Sequence, residues 1–231
     1  MTSPTGRALA DLERKVAASE TDGLDRLRLV EVPFVSEVRL HLAEDAIVWW
    51  ARMEAEAGKV LPPPFWASVW AGGQAVARYV LDHPEMVAGR RVLDLASGSG
   101  LVPIAAGLAG AAEVIANDVD PYALAAITLN ARANAVAVTG AYGDLLDGEG
   151  DECQLVLAGD VFYNRPLAAR MLAFLERVAA RGVGVLVGDP GRSHLPSDRL
   201  KWVASYLVPT TEAFVDTEIR QVDVLRPVRS R

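Results

Sequence analysis

Val92-Leu-Asp-Leu-Ala-Ser-Gly-Ser-Gly-Leu101 is the stretch that decides the fold of this chain. Arg90 to Leu95 carry the branched, apolar residues of a strand buried in a parallel sheet, and Ser97 to Gly100 force a sharp turn. A helix is expected from Leu101, so its free N–H groups and positive dipole end face whatever lies over the turn. Gly98 and Gly100 let the backbone approach that ligand closely. The alternative is an ordinary strand-to-helix turn that binds nothing.

The surrounding residues narrow the ligand. A dinucleotide cradle would continue as G-x-G-x-x-G, but the third position after Gly100 is Pro103. A triphosphatase loop needs Lys-Ser or Lys-Thr behind its glycines, and neither pair follows here. Asp94, at the end of the strand, would repel a pyrophosphate and pair with a cationic amino-acid ligand. S-adenosylmethionine, with an ammonium, a sulfonium and no phosphate, meets that requirement.

Outward from this loop, the chain alternates helix and strand. Helices are predicted over Gln74 to Leu81, Leu101 to Leu108, Pro121 to Asn134 and Pro166 to Ala180, and strands over Arg90 to Leu95, Glu113 to Asn117, Val136 to Ala141, Gln154 to Ala158 and Val183 to Val187. That rhythm calls for an α/β fold of Rossmann-like type, a mostly parallel sheet with helices on both faces. Lys201 to Val208 and Ile219 to Leu225, separated by Pro209, Thr210 and Thr211, have the character of a C-terminal antiparallel strand pair.

Residues 1–64 read as an N-terminal accessory segment and residues 65–231 as the main domain of a single globular unit. Within the accessory segment, Met1 to Thr5 is expected to be frayed, with a helix over Arg7 to Ala18. Extended segments should follow between Leu27 and Leu40, and a second helix near Ala43. Pro62-Pro63-Pro64 stops it and forces an extended entry into Phe65-Trp-Ala-Ser-Val-Trp-Ala-Gly-Gly-Gln74.

The 231 residues carry a formal charge of −7, which argues against a general affinity for nucleic-acid backbones. Cys153 is the single cysteine, and His41, His83 and His194 stand apart as surface or capping residues, so neither a disulfide nor a metal site is expected. No apolar run has the length of a membrane span, and Met1 to Glu20 mixes acids with bases. A cytoplasmic protein with no membrane and no nucleic-acid partner is the expectation.

Two more acids fall at strand ends. Asp118 ends the strand after the loop, where a carboxylate can accept both ribose hydroxyls, whereas Asp120 reads as the N-cap of the helix that Pro121 begins. Asp144, in Ala141-Tyr-Gly-Asp-Leu145, follows the third strand; it is either an acceptor for an adenine amino group or a solvated turn acid. Carboxyl ends of parallel strands share one crevice, which brings Asp94, Asp118 and Asp144 together.

Val92 to Leu101, Asn117 to Pro121 and Gly143-Asp144 resemble the cofactor motifs of the seven-strand, class I S-adenosylmethionine-dependent methyltransferases, except that Ala96 replaces the first glycine of the loop. The resemblance implies a seven-stranded sheet. Pro64 to Gln74, Asn117 to Pro121, Gly159-Asp-Val-Phe-Tyr163 and Gly188-Asp-Pro-Gly-Arg192 are, more narrowly, similar to the lysine methyltransferases that modify the β subunit of electron-transfer flavoprotein. That likeness covers about Val38 to Val208.

The resemblance implies cofactor binding by Trp70, Asp94, Ser97, Gly98, Gly100, Asp118, Asp144 and Gly159, with Asp160 and Tyr163 lining the channel of the target lysine. On this reading the chain is a protein-lysine N-methyltransferase with S-adenosyl-L-methionine as its cofactor and the flavoprotein β subunit as its protein partner. The alternatives are a methyltransferase of a ribosomal protein or of a small nicotinamide-type amine, and a cofactor-binding protein without catalysis. Taken without the resemblance, Asp160 is equally a turn cap and Tyr163 a core residue, Trp66 is a core aromatic or a pocket wall, and Asp189 to Arg192 is a tight turn.

Overall fold

Alternation along the strands sets the sheet, and glycine sets how closely a helix lies on it. The computed structural model describes residues 3–18, 23–150, 153–210 and 218–228. The main sheet holds β3 (Arg91–Leu95), β4 (Glu113–Asp118), β5 (Thr139–Tyr142), β6 (Leu155–Gly159), β7 (Gly184–Asp189), β8 (Leu200–Thr210) and β9 (Glu218–Pro227). Across it the order is β5-β4-β3-β6-β7-β9-β8, with β3 to β7 parallel and β9 antiparallel to both of its neighbours. This is the expected seven-stranded, mostly parallel sheet with a C-terminal antiparallel pair. The order reverses between β3 and β6, so the carboxyl ends of these strands open the crevice.

Successive side chains point to opposite faces. Val92, Leu155 and Leu157 join the core under α3 (Ala71–Asp82) and α4 (Leu101–Leu108), while Leu93, Leu95, Val156 and Val187 pack with Phe174 and Leu175 of α6 (Arg165–Ala180). Helix α5 (Pro121–Ala133) sets Leu124 and Ile127 against Ala116 of β4. By the same alternation Asp94, Gly159 and Gly188 face α3.

There the helix starts almost on the strands' backbone. A Cβ at Gly159 would stand 2.6 Å from Gly73 Cα, and one at Gly188 would overlap the carbonyl oxygen of Gly72. Only glycine fits such an approach.

The N-terminal region comprises α1 (Pro4–Ala17), the antiparallel hairpin of β1 (Leu27–Val32) with β2 (Val35–Ala43), and α2 (Ala46–Ala57). Trp66, in a short 3₁₀ turn over Phe65–Ala67, ties it to the sheet: it stacks on Tyr122 of α5 at 6.1 Å and meets Trp49 of α2 edge-on at 6.4 Å. At 2% exposure Trp66 is a core aromatic, whose truncation to alanine would cost about 3–5 kcal/mol.

Several boundaries differ from the sequence reading. Helix α1 begins at Pro4, because Ser3 caps it by accepting from the Gly6 N–H at 3.0 Å; Met1 and Thr2 lie outside the described residues. Strand β2 runs to Ala43, so α2 starts only after Asp45 caps it through the Ile47 and Val48 N–H groups. Strand β5 begins at Thr139, since Ala135 turns into the left-handed region at φ +53° as the chain leaves α5. Strand β8 continues through Pro209 and Thr210, which is tolerated because it is the outer strand and one side of its backbone has no partner. Thr211 lies outside the described residues. Among the described residues no helix is long and apolar enough to cross a membrane.

Candidate functional site

The glycine loop between β3 and α4 holds three residues in the left-handed region, Ala96 at φ +52°, Gly98 at +52° and Gly100 at +86°. Left-handed backbone costs a residue with a Cβ roughly 1–2 kcal/mol, so Ala96 keeps the conformation of a glycine at modest strain. Its neighbours pin the loop. Ser97 N–H donates to Asn117 O at 3.0 Å, Gly98 N–H to Asp118 Oδ2 at 2.9 Å, and Asn130 Nδ2 to Ser99 O at 2.8 Å. Gly100 is also needed for packing, because a Cβ there would meet Ile127 Cγ1 at 3.1 Å.

Asp94, Ser97, Gly98, Trp70 and Gly159 come together around one cleft, with Gly73 and Ala96 beside them. Asp94 is 1% exposed, and among the described residues neither of its carboxylate oxygens has a hydrogen-bond partner. Burial pushes it up to about 8, and the Asp118 charge adds to the rise; the Ser97 hydroxyl donates to the Asp94 main-chain oxygen at 3.1 Å. A buried carboxyl group without partners is costly, and native proteins almost always supply partners. This one is shaped to receive its partner from a ligand, and the ligand it favours is a cation.

The other two acids are set differently. Asp118 is part-buried; Oδ2 holds the loop through Gly98, and Oδ1 accepts from the Asp120 N–H at 3.0 Å. Burial raises its pKa, the backbone donors oppose, and each oxygen keeps a lone pair. Asp120 is the N-cap of α5, accepting from the Tyr122 N–H at 2.8 Å. Asp144 stands outside the cleft lining: Arg170 donates to its Oδ2 at 2.7 Å and holds its carboxyl below the usual range, while the Leu146 N–H donates to Oδ1 at 3.0 Å.

At the end of β6, Asp160 sits at φ +56°, a backbone that Asp and Asn tolerate better than most residues, and is 7% exposed. Its Oδ2 accepts from the Gly72 N–H, and its Oδ1 accepts from Arg192 Nε at 2.9 Å and Nη2 at 2.6 Å. The contact with Gly72 explains why α3 starts at Ala71 and not near Gln74. Trp70, at the N-cap, has no side-chain cap of its own, so a residue far along the chain supplies it.

Around Asp160 lies an aromatic rim. Phe65 sits 5.6 Å from Trp70 and 5.9 Å from Tyr163, Trp70 Nε1 donates to Phe65 O at 2.9 Å, and the Arg192 guanidinium lies 5.8 Å from the Trp70 ring centre. Tyr163 is 47% exposed, so it is no core residue; burial of its hydroxyl and the Asp118 charge both raise its pKa. The sequence reading missed Phe65 and the close-packing role of Gly72, Gly73 and Gly188. The adjacent Gly72-Gly73 pair, opposite Gly159 and Gly188 at two strand ends, was the available signal.

The residues present fit S-adenosylmethionine. Asp94 offers a buried, unpartnered carboxyl group that an amino-acid ammonium would hold in its charged form, and the glycine turn offers close backbone approach. Among the described residues no three His, Cys, Asp or Glu side chains gather to hold a metal ion.

Comparison with known proteins agrees with this geometry. Residues 79–159 match the family model described as ribosomal protein L11 methyltransferase (PrmA). The chain is 43% identical over 142 residues to the electron transfer flavoprotein beta subunit lysine methyltransferase of Danio rerio, covering 61% of this chain and 55% of that one. It is 40% identical over 167 residues to the enzyme of the same name from Xenopus laevis, covering 71% of this chain and 67% of that one. Against the Danio rerio, Rattus norvegicus and Mus musculus relatives it spans between 55% and 64% of their length. In fold it is similar to the crystal structure of precorrin-6y C5,15-methyltransferase from Geobacter metallireducens, with a TM-score of 0.52 at 17% identity over 68% of this chain and 89% of that one. With its motifs set around one cleft and these relatives sharing its sequence, the chain belongs to the family of the electron transfer flavoprotein beta subunit lysine methyltransferases.

Proposed function

We propose that this chain transfers methyl groups from S-adenosylmethionine to lysine side chains of the β subunit of electron-transfer flavoprotein. The observation that carries the cofactor half is Asp94, a buried carboxyl group with both oxygens unpartnered beneath a glycine turn. When bound, S-adenosylmethionine supplies an activated methyl group on a cationic sulfonium, open to in-line displacement by an amine.

Asp94 would hold the ammonium end, and Asp118, with the lone pairs its backbone contacts leave free, would accept from the ribose hydroxyls. Gly159, with no side chain, keeps the end of β6 clear beside Trp70. The acceptor amine enters between Tyr163, Phe65 and Trp70, where aromatic faces attract its charged and methylated forms by about 0.5–2 kcal/mol. Asp160 orients the amine at the end of β6. The nucleophile is the neutral amine, whose proton leaves to water before transfer because an unperturbed lysine has a pKa of about 10.4. Positioning of the two reactants carries the catalysis, with neither metal nor covalent enzyme intermediate required.

The relatives' names favour the flavoprotein subunit as acceptor. The match to the ribosomal protein L11 family covers residues 79–159, so it takes in the glycine loop and leaves out Phe65, Trp70, Asp160 and Tyr163. Incubation with labelled S-adenosylmethionine and, separately, the flavoprotein β subunit, ribosomal proteins and small amines, followed by mass spectrometry, tests the reading. Label on lysines of the flavoprotein subunit is the expected result; its absence there would remove this acceptor.

A further inference from the structure

The Asp160 carboxylate is not free. Helix α3 takes one oxygen through the Gly72 N–H, and Arg192 takes the other with two nitrogens, at 2.9 and 2.6 Å. An ion pair with one buried partner is weak evidence of a stabilising role, since desolvating the charge offsets much of the attraction. The arrangement also opposes what an acidic residue would do by itself beside an incoming lysine. A lone carboxylate favours the ammonium form of a neighbouring amine, which is unreactive toward a sulfonium.

The turn that carries Arg192 is built to aim it. Asp189, 1% exposed at the end of β7, accepts from the Gly191 and Arg192 N–H groups, each at 2.7 Å, and Gly191 adopts φ +83°. The guanidinium then lies with one side on Asp160 and 5.8 Å from the ring centre of Trp70, a wall of the cofactor cleft. It is about a quarter exposed, 26% by side-chain area, so it stands at the rim and is not sealed in the core.

We infer that Arg192 is a positioning residue of the acceptor site: it cancels the charge of Asp160, so that the carboxylate orients the target amine without holding it as an ammonium. The inference rests on the proposed lysine-methylating function and deepens it. Asp160 alone would bind the wrong protonation state well; paired with Arg192 and the amino end of α3, it presents the one lone pair left, on Oδ2, in a field that disfavours a second cation.

Among the described residues, further charged or titratable groups stand around the pair. Asp189 lies behind Arg192, where burial raises its pKa while the two turn N–H groups and Arg192 oppose and Asp160 adds. Asp223 of β9, opposite Asp189 in the ladder, is engaged by Ser205 at 2.6 Å and Gln221 at 3.3 Å. Across the rim stand Tyr163 and, beyond it, Asp118 and Asp94.

The pH dependence of methyl transfer to the flavoprotein β subunit, measured as initial rates from about pH 7 to 10, tests this role. Wild type, Arg192→Gln, Arg192→Lys and the double variant Asp160→Asn with Arg192→Gln are compared, each with S-adenosylmethionine affinity by calorimetry. For Arg192→Gln the midpoint of the rising limb moves up by about one pH unit or more, so the rate falls roughly tenfold at pH 7 and the gap narrows as the pH passes the two midpoints. Arg192→Lys keeps the charge and the wild-type midpoint. In the double variant, which removes both charges, the midpoint returns toward wild type even though the rate is lower, and cofactor affinity stays within about threefold throughout.

A loss for Arg192→Gln that is equal at every pH, with an unmoved midpoint, overturns the inference, as does a double variant shifted as far as the single one. If Arg192→Gln does not fold, Arg192→Lys and the double variant decide between them, since equal midpoints in these two are required. Wild type that labels no flavoprotein lysine overturns the proposed function, whereas an active wild type with unmoved variant midpoints overturns only the role of Arg192.

Discussion

Two buried acids stand at the carboxyl ends of adjacent strands, and their surroundings are opposite. Asp94 on β3 has both oxygens unpartnered, and burial pushes it up to about 8. Asp160, just past β6, has every oxygen taken, by the amino end of α3 and by Arg192. The first is incomplete without a cation; the second is already neutralised. On the proposed function, the first would hold the cofactor by charge and the second would let the acceptor amine stand as a base.

Asp94→Ala tests this contrast most severely. Removing one partner of a buried charge pair typically costs about 2–5 kcal/mol, so S-adenosylmethionine affinity by calorimetry should fall by roughly 30-fold or more. An affinity within a few-fold of wild type would take Asp94 out of the cofactor site.

The pH dependence of binding comes next in size. Below about 8 the empty site holds Asp94 protonated, and the ligand requires the carboxylate, so affinity should rise about tenfold per unit from pH 6 to 7 with release of a proton. Above about pH 8 it should turn down as the ligand's own amine, with a pKa near 7.7–8.0, loses its charge. For the empty protein the sign is the reverse. A carboxyl group whose folded pKa is raised binds its proton more tightly folded than unfolded, so its contribution to stability falls as pH rises from about 4 to about 8. Asp94→Asn should flatten both trends, and thermal melts across that range check the second.

Asp160→Ala probes the contrast from the other side. It strands Arg192 and removes the cap of α3, so we expect a stability loss of about 2–4 kcal/mol in urea unfolding, little change in cofactor affinity, and a much lower transfer rate. Unchanged turnover would remove Asp160 from the acceptor site. The smallest effect belongs to Tyr163→Phe, which keeps the aromatic wall and loses only the hydroxyl. A change of about two- to fivefold in KM for the acceptor, with cofactor affinity intact, is the expected reading.

How far the residues themselves disclosed this differs between the two acids. Asp94 was legible because its whole context is local: an apolar strand, a glycine turn and a helix start lie within ten consecutive residues, and charge chemistry selects the ligand. Helices α4 and α5 were legible for the same reason: the glycine turn ending at Gly100 leads into the first, and Asp120 with Pro121 caps and opens the second. The first turn of α3 was not, since its cap is 88 residues away in sequence. Arg192 read as part of a tight turn, and nothing near it in the chain announces Asp160.

Read alone, the amino-acid order settles the succession of strands and helices, the glycine turn and the acid that demands a cation, because alternation, glycine and local charge act over a few residues. It took the folded arrangement to spend Asp160 on Gly72 and Arg192, to make Trp66 core while Trp70 borders the cleft, and to let α3 rest on β6 and β7 through four glycines. Those outcomes depend on which strand ends become neighbours, and packing distant segments together is what creates that proximity.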